Sequence, residues 1–413
     1  MRRRVVVTGL GCVTPVGNDV ASTWQALLDG KSGGAPITRF DATAHKVKFA
    51  CEAKGFDPAV YMDRKEVKRS DLYTQFAVAG AVQAMRDAGF EGGGFDPLRT
   101  GVIVGSGIGG ITTFETQHDV LRDSGPNRVS AFFVPMFIGD IAAGVVSMRF
   151  GAKGPNFATQ SACATSAHAI GTAFRHIQYG DADVMIAGGS EAAVSQMAMG
   201  GFANMQALSE RNDSPETASR PFDATRDGFV LGEGAGIIIL EELGHARARG
   251  ARIYGELGGY GLTGDAYHLT GQPENHEGLQ RSMRAAMADA GLGPGDVQYV
   301  NAHGTSTPMN DPNEIRAIRA VFGEYAEALN VSSTKSATGH MLGAAGAVEA
   351  IFCLLAIQNG VIPPTINLTS PDPECDLNCT PLNPVQRDVS AAVSNSSGFG
   401  GHNATLVMRR LTG

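Results

Sequence analysis

An α/β protein built from two copies of one βα unit, each with a buried sheet covered by helices, is the expectation from this sequence. Short apolar runs alternate with helical patterns, which suits strands buried on both faces. Two pairs of segments repeat in the same order. Glycine is abundant, 54 in 413 residues, which implies many tight turns and close helix–strand packing.

Taken along the chain, MRRRVVVTGLG is basic, then apolar for about five residues before glycine, too short for a signal-peptide core; it reads as a first strand. AMRDAG (84–89) closes a helix and leads to the strand Val102–Val104. SAHAIGTAFRHIQYG (166–180) carries Ile170, Phe174 and Ile177 at helical spacing. DVMIAG and AGIIIL supply further strands. The second copy follows: AMADAG (286–291), a strand over Val297–Val300, then GAVEAIFCLLAIQNG (346–360). Both long helices finish I-Q-x-G, a left-handed glycine cap. The halves divide near residue 250, as 1–250 and 251–413, and form one rigid body.

Hydrophobic residues make up 43% of the chain and the net charge is −8, which excludes nucleic acid as the main partner. Mean hydropathy is near zero, and no apolar run is read as a membrane span. The reading is a cytoplasmic protein. Six scattered cysteines form no disulfide framework, and Cys375 with Cys379 lacks the second pair a metal site requires. GSGIGG (105–110) resembles a dinucleotide loop, but the following LRDSGPNRVSAFF is a loop where a second strand ending in an acid is needed. No cofactor is expected.

Four stretches carry chemistry. In QSACATSAH (160–168), Cys163 precedes a helix whose N–H groups and dipole favour a thiolate. In NAHGTSTPMNDPNE (301–314), His303 follows a strand in a hydroxyl-rich turn. STKSATGHMLGAAGAVE (333–349) places Lys335 and His340 in the second half where Cys163 stands in the first, so a pseudo-twofold packing brings one Cys and two His to one pocket. NSSGFGGHN (395–403) is a glycine hinge around Phe399.

Together with RPFDATRDGFVLGEGAG, these motifs resemble the β-ketoacyl-[acyl-carrier-protein] synthases nearly end to end, and GGFANMQALSERNDSP is similar to the synthase II branch. The resemblance implies a thiolase-like fold, a five-layer αβαβα sandwich, and a homodimer. It implies elongation of fatty acyl chains on acyl carrier protein, with malonyl carrier protein as donor. In that scheme Cys163 takes the acyl group, and neutral His303 and His340 assist decarboxylation and hold the enolate. The N–H groups of Cys163 and Phe399 form the oxyanion hole, and Lys335 pairs with Glu314. Thr305 and Thr307 bind the pantetheine arm, and Gly107, Ile108, Phe133 and Phe202 line or gate the acyl tunnel. Some members hold a structural monovalent cation near Asn301, Glu349, Asn395 and Ser396.

The basic run Arg64, Lys65, Lys68 and Arg69, with Arg128, would dock the acidic carrier protein. Ser397 departs from the family pattern by replacing an aromatic beside the gate, His402 stands where many members carry Thr, and Gln206 replaces a basic docking residue. Alternatives with the same chemistry are ketosynthases of type II polyketide or other specialised pathways. A non-catalytic chain-length partner would lack Cys163; a thiolase would carry a second Cys, and an initiating synthase an Asn, where His340 stands.

Overall fold

The computed structural model describes residues 2–413. The first half contributes strands β1 (Val5–Val13), β2 (Thr100–Gly105), β3 (Asn156–Phe157), β4 (Val184–Glu191) and β5 (Gly234–Glu242). The second contributes β6 (Gly255–Gly264), β7 (Tyr299–Asn301), β8 (Asn330–Ser332), β9 (Ala391–Gly398) and β10 (His402–Arg409). The helices that frame the site are α1 (Leu72–Asp87), α2 (Ile111–Ser124), α3 (Thr165–Tyr179), α4 (Glu277–Ala290), α5 (Asn310–Phe322) and α6 (Ala345–Asn359).

Strand order is β3-β2-β4-β5-β1 in the first half and β8-β7-β9-β10-β6 in the second, the same permutation twice. Strand directions repeat as well: β4–β5 and β9–β10 are antiparallel, whereas β2–β4 and β7–β9 are parallel. The two first strands join edge to edge at Val6–Glu256 and Val7–Gly255, so the halves form one hydrogen-bonded sheet of ten strands. Helix α1 covers β1, β5 and β4, and α4 covers β6, β10 and β9. Helices α3 and α6 touch strands of both halves and each other. This contact pattern makes them the central layer of an αβαβα stack.

Small residues permit that stacking. A Cβ on Gly9 or Gly11 would lie 2.2 Å or 2.1 Å from carbonyl oxygens of α1, and one on Gly259 or Gly261 would lie 2.1 Å or 2.0 Å from those of α4. The outer helices therefore sit directly on the strand backbones, once in each half. Helix α6 is buried from Ala345 to Ile357. The stretch Leu342–Asn359 is long and apolar enough to cross a membrane by composition, contrary to the sequence reading, but 89% of it is buried inside the protein. Its apolarity is that of a core helix. After GSGIGG the chain enters α2 and then a turn and the short helix Phe133–Phe137; the second strand of a dinucleotide fold is not there.

Candidate active site

The two central helices begin at pseudo-equivalent points. Each follows a 3-10 turn, Ala162–Ala164 before α3 and Leu342–Ala344 before α6. Each turn opens with a non-glycine residue in the left-handed region, Ala162 (φ 49°) and Leu342 (φ 44°). Gly343 is thus the counterpart of Cys163 in the second copy, and His340 stands just ahead of that turn. The helix starts pack closely: the Ala347 N–H donates to Ser166 Oγ at 2.9 Å, and a Cβ on Gly346 would lie 3.0 Å from that of Ala167. Only small side chains fit between them, which explains the bare surroundings of the cysteine.

A cavity of about 500 Å³ opens at this crossing. Cys163, His303, His340 and Phe399 all line it, with Thr305 and Thr307, and with Gly107, Ile108 and Phe202. The His303 and His340 rings stand edge to face, centroids 5.3 Å apart, and Phe229 backs His340 at the same distance. Burial, reinforced by the Lys335 cation, holds both imidazoles well below their ordinary value. They are neutral at physiological pH, as expected.

The cysteine departs from expectation. Burial pushes its thiol up to about 12, against the opposing pull of Lys335 and of the Phe399 and Cys163 N–H groups. The helix N-terminus is expected to favour a thiolate, and burial works against it. The same N–H groups define an anion pocket at Sγ, formed where the β9–β10 hairpin meets the nucleophile turn. A Cβ on Gly398 would lie 2.5 Å from the Ser161 carbonyl oxygen and 3.1 Å from the Cys163 nitrogen, so the hairpin reaches the turn only through glycine.

Two further expectations are corrected. Lys335 pairs with Glu349, not Glu314. Glu314 lies on α5 and accepts from the His303 and Gly304 N–H groups at 2.8 Å each, and from Asn395 Nδ2, so it holds the histidine turn by its backbone. Phe133 does not line this chain's cavity. It stacks on Phe137, centroids 5.7 Å apart, in the short helix packed on α2, next to exposed Phe132 and Val134.

The basic residues Arg64, Lys65, Lys68, Arg69 and Arg128 are all exposed. Arg69 lies over the Phe132 ring at 4.4 Å, which brings their helix alongside the segment that carries Arg128. Ser397 is buried, and its hydroxyl donates to Asn403 Oδ1 across the hairpin at 2.9 Å. The missing aromatic is thus replaced by a polar cross-link. Around α6, Asn301 Oδ1, Glu349 Oε2 and Ser396 Oγ are buried without hydrogen-bond partners. Such an oxygen set fits a hard monovalent cation, while Asn395 spends its side chain on Glu314 and Thr405.

Sequence reasoning missed Glu191. Buried at the end of β4, it accepts from Ser106 Oγ and from the N–H groups of Gly107, Ile108 and Gly343. It clamps the acyl-side turn to the His340 turn. An acid closing the apolar strand VMIAGGSE was the available signal.

A nucleophilic cysteine, two neutral imidazoles and a backbone anion pocket at one tunnel define an acyl-transferring condensing site. The chain belongs to the β-ketoacyl synthase family: residues 2–246 match "Beta-ketoacyl synthase, N-terminal domain" and residues 254–369 match "Beta-ketoacyl synthase, C-terminal domain". It is 53% identical to the 3-oxoacyl-[acyl-carrier-protein] synthase 2 of Staphylococcus aureus (strain N315) over 99% of this chain and 98% of the relative. It is 51% identical to the protein of that name from Coxiella burnetii (strain RSA 493 / Nine Mile phase I), over 99% of each. Among solved structures, the ishigamide ketosynthase/chain length factor superposes with TM-score 0.94 at 34% identity over the whole of both chains. A ketosynthase bound to the hexaketide, in complex with its type II polyketide acyl-carrier protein, gives TM-score 0.92 at 36% identity over 100% of each. The fold is the thiolase-like fold of the ketosynthases.

Proposed function

We propose that this protein elongates fatty acyl chains on acyl carrier protein by decarboxylative Claisen condensation. The observation that carries the reading is the convergence of Cys163, His303, His340 and the Phe399 hairpin on one cavity. The Cys163 sulfur attacks an acyl thioester, its proton passes to a neutral imidazole, and the carrier-protein thiol leaves with that proton. Malonyl carrier protein then enters along Thr305 and Thr307. Its carboxylate departs as CO2, and the electron pair left behind becomes an enolate whose oxygen accepts hydrogen bonds from His303 and His340. That carbanion attacks the acyl-cysteine carbonyl, the Cys163 and Phe399 N–H groups hold the oxyanion, and Sγ leaves as the thiolate and takes from solvent the one proton that the condensation consumes. The product is 3-oxoacyl carrier protein.

The halves 1–250 and 251–413 act as one ketosynthase domain, the first bringing the nucleophile and the second both histidines. The basic residues Arg64, Lys65, Lys68, Arg69 and Arg128 receive the acidic carrier protein. Gly107, Ile108 and Phe202 shape the acyl side. Six unpaired cysteines suit the cytoplasm. A monovalent cation held by Asn301, Glu349 and Ser396 would order the turn around α6; it supplies charge and no chemical step.

Intact mass after mixing with acyl carrier proteins tests the reading. The parent gains one acyl group, Cys163→Ala gains none, and malonyl carrier protein discharges it. A parent that never takes the acyl group overturns the assignment.

A further inference from the structure

The mechanism leaves unused a half-buried polar contact beside the nucleophile. His168 lies in the first turn of α3, and its Nδ1 is 2.6 Å from Ser161 Oγ. Burial holds the ring neutral, so Nδ1 accepts the Ser161 hydroxyl proton while the ring packs against His402 on the β10 arm. Tyr260 and His402 close the ring in at centroid distances of 6.2 Å and 6.4 Å, both near perpendicular.

Both ends of this bridge are mechanically important. Ser161 begins the turn that presents Cys163, and the intervening Ala162 is held at φ 49°, a conformation that persists only where neighbours enforce it. Thr165 enforces it from one side: its hydroxyl donates to the Ala162 carbonyl at 2.7 Å and accepts from the Ser161 N–H at 2.9 Å. Asn403 lies in the β10 arm of the hairpin, directly beyond the turn that carries Phe399. Its side chain is anchored by Ser397, His276 and Asp265. The two N–H donors of the oxyanion pocket therefore belong to separate segments, and His168 touches both, through Ser161 on one side and His402 on the other.

We propose that His168 is a positioning residue that links the Cys163 turn to the Phe399 hairpin, fixing the separation of the two oxyanion donors. The proposal rests on Cys163 being the acyl acceptor. An oxyanion pocket whose donors drift by a fraction of an ångström loses transition-state stabilisation while substrate binding is untouched.

The experiment compares the parent with His168→Ala, His168→Asn, Ser161→Ala and the Ser161→Ala/His168→Ala double variant. Two rates are measured on each full-length protein: acyl transfer to the cysteine from octanoyl carrier protein, and alkylation by iodoacetamide, which builds no oxyanion. His168→Ala acylates about tenfold or more slowly at saturation, with KM unchanged and alkylation within about twofold. Ser161→Ala matches it, and the double variant is no slower than either, the signature of one shared interaction. His168→Asn, whose carbonyl can still accept from Ser161, recovers most of the rate. Acylation at the parental rate in His168→Ala overturns the proposal, as does a parallel loss of acylation and alkylation that His168→Asn does not relieve. A parent that takes no octanoyl group overturns both this inference and the condensing function.

Discussion

Lys335 sets the charge of the whole site. Buried beside both imidazoles and paired with Glu349, it adds to desolvation in keeping His303 and His340 unprotonated. Because their pKa values lie well below 6.5, the imidazoles stay neutral as pH falls through that value. The acid limb of malonyl carrier protein decarboxylation should accordingly fall below pH 6.5, and a pH–rate profile reads it directly. Lys335→Met removes the cation and should move that limb upward. The same variant leaves the Glu349 carboxylate buried alone. Its folded-state value, already raised to about 7 mainly by burial, rises further, so the protonated form is the one folding favours. Stability is retained below the ordinary carboxylate range and lost as pH rises through the raised value. Urea unfolding should show Lys335→Met destabilised by about 3 kcal/mol at pH 8 and by clearly less at pH 5.5.

At the scale of elements, the site is a crossing of two helix starts clamped by one carboxylate. Glu191 joins the Gly107 turn to the Gly343 turn of the other half, and a Cβ on Gly343 would lie 2.4 Å from the Gly107 nitrogen. Glu191→Gln puts an amide N–H against backbone N–H donors and should cost about 2–4 kcal/mol in stability while slowing Cys163 acylation; denaturation and acylation assays check both. Cys163, His303, His340 and Phe399 were legible in the sequence because reactive or aromatic side chains stand out in turns of Gly, Ser, Thr and Ala. The duplication was legible in AMRDAG and AMADAG, and it recurs as the repeated strand order. Glu191 and His168 were not: the acid that closes VMIAGGSE gives no hint of the distant turns it joins, and the helical pattern around His168 does not show its contact with the second half. The Lys335 partner was missed for a related reason: the choice between Glu314 and Glu349 depends on which side of α6 the lysine faces. Burial of Cys163, which opposes the thiolate, comes from the assembled fold and is invisible to a local reading of a helix end.

The whole molecule ends in an unfinished edge. Strand β3 is the last strand of the sheet, pairs only with β2, and exposes Phe157. Between residues 132 and 157 the surface also shows Phe132, Val134, Ile138 and Met148. An open strand edge beside a run of exposed apolar side chains is a surface that another chain covers, and closed twofold pairing of identical edges is the commonest solution. It also gives Phe133 a use, since that residue does not line the active-site cavity of its own chain. The protein should therefore run in light scattering at twice its 43.0 kDa chain mass. Phe157→Glu sets two carboxylates against each other across the paired edge and should return the mass to a single chain. If the acyl side of the tunnel is completed by the neighbouring copy, the monomeric variant should still alkylate at Cys163 but lose acylation by long acyl groups before short ones. A variant that stays dimeric, or a monomer that accepts every chain length as the parent does, would remove this edge from any role in the site.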